Sequence, residues 1–325
     1  MKKFLFACAA IGAISGSASA QSNVTVYGII DASIARSQSE AAPSKLSIDS
    51  GNWYGSRLGF RGSEDLGDGL SAIFQLENGF SVDTGNLGQS GRLFGRHAWV
   101  GLKGSLGMLR VGRSWTPAYC ALTDTIDPFE DGMAGAAGAF FGRNVFNAID
   151  IRMQNALFYT TPTVGGMTGE VAYALGEVAG NSRAGRQLST VLTYVGGPLR
   201  AVASYNEMNN ATGTGAAKLY FGGARYDFGP FKLHIGLDRQ KTDNAGVLTT
   251  DANDTIVALT IPVGRGTILA SYNYLNDRSP ANADMKQAAI GYKYELSKRT
   301  TLYTSYGHIN VNDAYRVMVG IRHRF

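Results

Sequence analysis

Two-faced segments of about ten residues, separated by connections that alternate between short and long, constrain this chain more than any other feature. Side chains of a strand point to opposite faces in turn, so a strand with one apolar parity needs apolar surroundings on one side and water on the other. In "QAAIGYKYEL", Ala288, Ile290, Tyr292, Tyr294 and Leu296 oppose Gln287, Ala289, Gly291, Lys293 and Glu295. In "FKLHIGLDRQ", Phe231, Leu233, Ile235 and Leu237 oppose Lys232, His234, Gly236 and Asp238. Short turn signals fall at 64–69, 104–107, 162–166, 196–198, 229–230, 262–266 and 297–299. Longer polar stretches fall between them, at 36–52, 81–91, 114–150, 176–186, 207–216, 241–254, 276–284 and 308–313. Seven short and eight long connections join sixteen strands with both termini at one rim.

Beyond the first twenty residues, no apolar run approaches the roughly twenty residues that a membrane-crossing helix needs. A chain that crosses a membrane without helices must do so as a closed barrel, because an open edge leaves backbone groups unpaired in hydrocarbon. A soluble double sheet has no reason to sort loop lengths by rim, whereas an outer-membrane barrel does. The expected fold is all-β, a sixteen-stranded antiparallel transmembrane barrel. The 42 glycines, 16 tyrosines and 15 phenylalanines suit an all-β chain with many turns.

The first twenty residues read as a leader. Lys2 and Lys3 precede an apolar run, and Ala18 and Ala20 form an A-x-A site before Gln21, so residues 1–20 are expected to be a cleaved signal peptide and 21–325 the barrel domain. Cleavage removes Cys8 and leaves Cys120, so no internal disulfide is expected. The net charge of +5 includes the two leader lysines, and acidic residues are interspersed with basic ones throughout. Nucleic acid is therefore not an expected partner.

The chain ends "YRVMVGIRHRF". Val317, Val319 and Ile321 take the lipid side, with His323 and Phe325 at the interface, and this last strand is expected to close onto "NVTVYGIIDASIA". In "RLFGRHAWVGLKGSLGMLRVGRS" both parities contain apolar residues, which fits either a wall buried against another subunit or a register displaced by one.

The segments "SRLGFRGSEDLGDGLSAIFQLE", "GRHAWVGLKGSLGMLRVGRS" and "AYCALTDTIDPFEDG", with the terminal Phe, resemble the general diffusion porins of Gram-negative outer membranes, particularly the beta-proteobacterial type. The resemblance covers 21–325. It implies a homotrimeric channel for small hydrophilic solutes and ions, set among outer-membrane lipids and lipopolysaccharide, with the third long loop folded into each pore. It also implies that Phe325 is a signal for the barrel-assembly machinery.

Candidate pore residues follow from both lines. Arg57 and Arg61 share a parity opposite Leu58 and Phe60, and a guanidinium facing the bilayer midplane costs roughly 2 to 4 kcal/mol, so both are expected to face the lumen. Arg96 and Arg152 begin strands on either side of the long connection 114–150, which carries Asp124, Asp127, Glu130 and Asp131. The resemblance matches Arg57, Arg96 and Arg152 to a basic wall cluster, Arg61 to a position beneath it and Glu77 to an acidic wall position. Where many members have Pro-Glu-Phe-Gly-Gly this chain reads Asp-Pro-Phe-Glu-Asp-Gly, and Asp124 and Asp127 are the leading acidic matches, with Glu130 and Asp131 set further from the gap.

An outer-membrane barrel enzyme would need a nucleophile and base held together. His97 and His323 read as lipid-facing, and His234 points inward without an identifiable acid partner. No C-x-x-C or H-E-x-x-H spacing occurs, so no metal or cofactor is expected. A substrate-specific channel would show a run of pore arginines or aromatics, which the sequence does not disclose; Tyr272, Tyr292 and Tyr294 take the lipid parity. A surface adhesin would have no use for an acidic loop folded inward. The sign of ion selectivity stays open, since charges of both signs flank the expected gap.

Overall fold

The computed structural model describes residues 23–137, 151–280 and 282–325. The expected leader, 1–20, and residues 138–150 of the long connection lie outside the described residues. Seventeen extended runs follow one another. The first nine are β1 (Asn23–Ser39), β2 (Ala42–Ser50), β3 (Arg57–Gly67), β4 (Leu70–Gly79), β5 (His97–Gly104), β6 (Gly107–Trp115), β7 (Arg152–Thr160), β8 (Met167–Ala174) and β9 (Gln187–Gly196). The rest are β10 (Leu199–Asn209), β11 (Ala216–Asp227), β12 (Lys232–Asn244), β13 (Val247–Val263), β14 (Gly266–Asp277), β15 (Met285–Glu295), β16 (Thr300–Ile309) and β17 (Ala314–Arg324).

β2 and β3 pair with the same edge of β1, β2 along Ala32–Ser39 and β3 along Asn23–Ile29. They are two pieces of one barrel strand interrupted at 51–56, so seventeen runs make sixteen staves. β17 pairs with the other edge of β1, from Ile29 opposite Arg324 to Gln38 opposite Tyr315, and closes an antiparallel sixteen-stranded barrel. Closure leaves no sheet edge in hydrocarbon. Phe325 adds the last rung: its N–H donates to the Gly28 carbonyl at 3.1 Å and the Gly28 N–H donates back at 3.1 Å. Its ring lies over Gly28, where a Cβ would fall 2.3 Å from the ring.

The two parities separate as the alternation requires. In β17, Val319 is 61% exposed while Met318, beside it, is 1% exposed. In β12, Ile235 and Leu237 are exposed while His234 and Asp238 are buried. Exposed apolar side chains face lipid and the opposite parity faces the interior. The outward surface is itself divided. Among the described residues, exposed apolar side chains up to Leu157 are all aliphatic, beginning with Val24, Val26, Ile30 and Ile34. Aromatics begin with Tyr159 and continue through Tyr173, Tyr194, Tyr220, Tyr226, Tyr272 and Tyr306.

Two expected long loops are instead projecting hairpins. β1 and β2 run on to a turn at 40–41, and β12 and β13 to a turn at Ala245–Gly246, whose φ values of +52° and +84° give the type I′ geometry that matches strand twist. Beyond the bilayer both faces of such a hairpin meet water. Its side chains carry no alternation, and the stretch reads as loop.

Candidate functional site

The interruption at 51–56 and the long connection after β6 are built against each other. Gly51 takes a φ of +71°, and the chain swings Trp53 into the interior, where it is 4% exposed. The Trp53 ring meets Tyr303 edge-on at 5.5 Å, and the Arg322 guanidinium lies 3.6 Å above its centroid. Asp31 fixes the excursion, accepting from the Tyr54 N–H at 3.2 Å and from the Tyr303 hydroxyl at 2.7 Å. The Asn52 carbonyl then accepts from the Met133 N–H, which belongs to the long connection.

Thr116 caps a short helix, α1 (Pro117–Ala121), by accepting from the Tyr119 N–H at 3.2 Å, with Pro117 at the first helical position, where its missing N–H costs nothing. From there to Ala137 the segment packs against side chains of the inward parity. Leu122 and Ile126 join Val202, Leu219, Phe221 and Ile256 in one apolar cluster, and Phe129, Met133 and Ala134 join Trp53, Leu269, Tyr303 and Met318 in another. The wall makes room with glycine. Gly223 and Gly236 oppose one another in register across β11 and β12, and a Cβ on either would fall 2.6 and 2.5 Å from atoms of Ile126. A Cβ on Gly291 would meet the Phe129 ring at 2.8 Å. Hydrogen bonds fasten the same flank: Ser189 Oγ accepts from the Ala118 N–H at 3.2 Å, Ser305 Oγ accepts from the Ala134 N–H at 3.1 Å, and Gln287 donates to the Ala134 carbonyl at 3.1 Å.

The other flank faces charge. Arg57, Arg96 and Arg152, drawn from three separate points of the sequence, converge on one indole: their guanidinium carbons lie 5.9, 5.5 and 5.6 Å from the Trp115 ring. Glu77 sits beneath, 2% exposed, accepting from Arg96 Nε at 2.7 Å and from the Tyr27 hydroxyl at 2.8 Å, with Arg57 3.8 Å away. One carboxylate and a π face thus offset three cations held together, an arrangement that a lone buried guanidinium could not sustain. Arg61 stands apart from this group, over the Tyr27 ring at 5.2 Å.

Across a cavity of about 510 Å³ from these arginines lie Asp124, Glu130 and Asp131. Asp127, one of the two leading acidic matches in the sequence, does not join them. It is 2% exposed, and its carboxylate accepts from the N–H groups of Phe129 at 2.8 Å, Asp131 at 2.9 Å and Ala137 at 2.9 Å. It staples the turn instead of lining the gap, while Glu130 and Asp131, expected to be displaced, face it. Burial outweighs those three donors and raises the Asp127 carboxyl from 3.8 to about 7.

A second cavity, of about 360 Å³, continues on the short-turn side of Asp124 and Glu130 and is lined by Arg200, Arg225, Lys232 and Lys293. Arg200 Nε donates to Thr125 Oγ1 at 2.9 Å, Arg225 donates to the Asp124 carbonyl at 3.1 Å, and Lys293 pairs with Glu130 at 3.7 Å. The sequence reading missed these four. Each shares the inward parity with a recognisable wall residue, Arg200 with Val202 and Lys293 with Gly291, so parity alone could have found them.

His97 faces the interior, not lipid. His97 is 7% exposed and points inward, its Nδ1 3.1 Å from Ser114 Oγ and its ring against Trp115 at 4.9 Å. The outward residues of β5 are Val100 and Leu102, so the sequence register there was off by one. Ser114 is itself 2% exposed, which closes this hydroxyl–imidazole pair to any substrate. His234 is buried between the Thr125 carbonyl at 2.9 Å and Thr260 Oγ1 at 3.0 Å.

A closed barrel, apolar outside and lined inside by facing charges, defines a transmembrane β-barrel channel. The chain belongs to the Gram-negative porin family, whose sequence profile matches residues 7–314. It is 33% identical to an outer membrane porin protein of Bordetella pertussis over the full length of both chains. It is 35% identical to outer membrane porin protein 32 of Delftia acidovorans, over 97% of this chain and 91% of that one. Among solved structures it is similar to an anion-selective porin from Comamonas acidovorans, with a TM-score of 0.84 and 29% identity over 94% of this chain and all of that one. The protein is thus an outer-membrane porin, a water-filled barrel for passive diffusion.

Proposed function

We propose that segment 114–150 narrows the lumen and that the narrowed gap favours small anions. The carrying observation is the cluster of Arg57, Arg96 and Arg152 over Trp115, facing Asp124, Glu130 and Asp131 across one cavity. Opposed charges across a narrow aqueous gap set up a transverse field that confined water screens poorly. Polar solutes align in that field, and apolar ones must displace oriented water without replacing its interactions. Basic side chains outnumber acidic ones along the two cavities, with Arg57, Arg96, Arg152, Arg200, Arg225, Lys232 and Lys293 against Asp124, Asp127, Glu130 and Asp131, while Glu77 is engaged by Arg96. The name of the Comamonas relative agrees with that sign.

The remaining assignments stand on separate supports. The aliphatic outward sector from β1 to β6 lacks exposed aromatic girdle residues, as a wall covered by neighbouring copies in a homotrimer would. Phe325, at the end of the closing ladder, is the residue for the barrel-assembly machinery to read, and residues 1–20 are the leader removed before assembly. Transport needs no catalytic step and no cofactor. A second reading, a channel with a saturable anion site, is favoured by inward arginines on both sides of Asp124, which the sequence had not disclosed.

Purified protein in a planar bilayer is expected to give stepwise ohmic conductance, often in threes, with a zero-current potential in a salt gradient of the sign that anion flow dictates. A cation-signed potential overturns the selectivity. Flux that saturates with a small dicarboxylate or phosphate, where chloride flux stays linear, would favour the second reading.

A further inference from the structure

The lipid-facing wall carries a built groove that pore function does not use. It holds about 670 Å³ between β8 and β12, and small outward residues form its floor: Gly169, Ala203 and Gly222, with Leu192 and Leu237 alongside. Register places these five in one row across the sheet, Gly169 opposite Leu192, Leu192 opposite Ala203, Ala203 opposite Gly222 and Gly222 opposite Leu237. The next row toward the long-loop rim has Tyr205 opposite Tyr220 and Tyr220 opposite Arg239, the two phenol rings 4.9 Å apart. One row higher, Lys218 stands directly opposite Lys241.

Like charges opposed across a strand pair are unfavourable unless something lies between them. The local carboxylates do not fill that role for both. Glu207 is shared by Arg186 at 3.5 Å, Lys218 at 3.9 Å and the Tyr205 hydroxyl. Asp251 is held by Arg239 at 2.6 Å, and no carboxylate pairs with Lys241 among the described residues. Apolar trough, aromatic shoulder and opposed cations thus succeed one another from mid-membrane to rim. That is the order of acyl chain, glycerol or sugar, and phosphate in a lipid.

We propose that this groove binds one phosphorylated lipid of the outer leaflet, an acyl chain on Ala203 and Gly222 and a phosphate between Lys218 and Lys241. The proposal rests on the outer-membrane assignment and on the long loops facing outward. Its sector is the aromatic one, opposite the aliphatic wall assigned above to neighbouring copies, so a trimer leaves it open to lipid.

Delipidated protein, kept in its native assembly in a neutral detergent, would be titrated by native mass spectrometry with diphosphoryl lipid A, with the same lipid dephosphorylated, and with inorganic pyrophosphate. Expected is binding of the phosphorylated lipid about tenfold tighter than the other two, falling about tenfold in the K218Q/K241Q double variant. Ala203→Phe, which fills the trough, should weaken the lipid without a matching change for pyrophosphate. Equal binding of the dephosphorylated lipid, displacement by equimolar pyrophosphate, or an unaffected double variant overturns the proposal, and so does a change of subunit number in Ala203→Phe, which would make the groove an interface. Conductance of the same samples separates the two readings. Lys218 and Lys241 face away from the pore, so lost lipid with intact currents bears on this site alone, and silent barrels that still bind lipid bear on the channel alone.

Discussion

The two flanks of residues 116–137 differ in what holds them. One flank is seated by shape: Ile126 enters the space left by Gly223 and Gly236, and Phe129 rests on Gly291. The other is presented by charge: Asp124, Glu130 and Asp131 line one cavity with Arg57, Arg96 and Arg152. Close packing tolerates little change of volume, whereas solvated charges tolerate much. Shape therefore seats residues 116–137 on the first flank, and charge lines the cavity on the second.

Disturbing the packed flank should have the largest effect. Gly236→Leu puts a side chain where Ile126 sits, an overpacking of about 1–3 kcal/mol. Single-channel conductance should rise and become noisy as the segment leaves its seat, while a variant with parental conductance would show that the seat does not set position. Asp127→Ala should act next, since each backbone N–H left without an acceptor costs about 1–3 kcal/mol. The readout is proteolytic cleavage within 127–137, expected to quicken. On the charged flank, Arg57→Gln with Arg96→Gln should leave conductance noise unchanged and move the zero-current potential toward cations, with Arg200→Gln and Arg225→Gln giving a smaller shift of the same sign.

The smallest effect expected is that of pH. The Asp127 carboxyl is raised from 3.8 to about 7 by burial, so the folded state holds its proton more tightly than the unfolded one. Its contribution to the seat is full below about 4 and is lost as pH rises through about 7. Current noise should grow between pH 5 and pH 8, and Asp127→Asn, which has no proton to lose, should abolish that trend.

The barrel was legible because lipid on one side and water on the other impose a period of two on every stave, and loop lengths add the rim. The same signal fails wherever both faces meet one medium. The projecting hairpins around 40–41 and 245–246 are wet on both sides, and the wall from His97 to Ser114 carries apolar residues on both, so the first looked like loop and the second was shifted by one residue. The parity that sets Arg57 and Arg61 opposite Leu58 and Phe60 could be read from their strand. Arg96 and Arg152 were placed by the ends they occupy, and only the folded chain brings them to Trp115. Asp127 could not be told from Asp124 by composition, because a staple and a pore lining both call for a carboxylate and differ only in which N–H groups surround it.

The pairing of Gly28 with Phe325 joins the first stave to the last. Without β17, β1 would have an unpaired edge from Ile29 to Gln38, and the remaining staves could not enclose a lumen. The seam between β1 and β17 thus carries the integrity of the whole wall, since parting it would turn the backbone groups of both strands toward hydrocarbon.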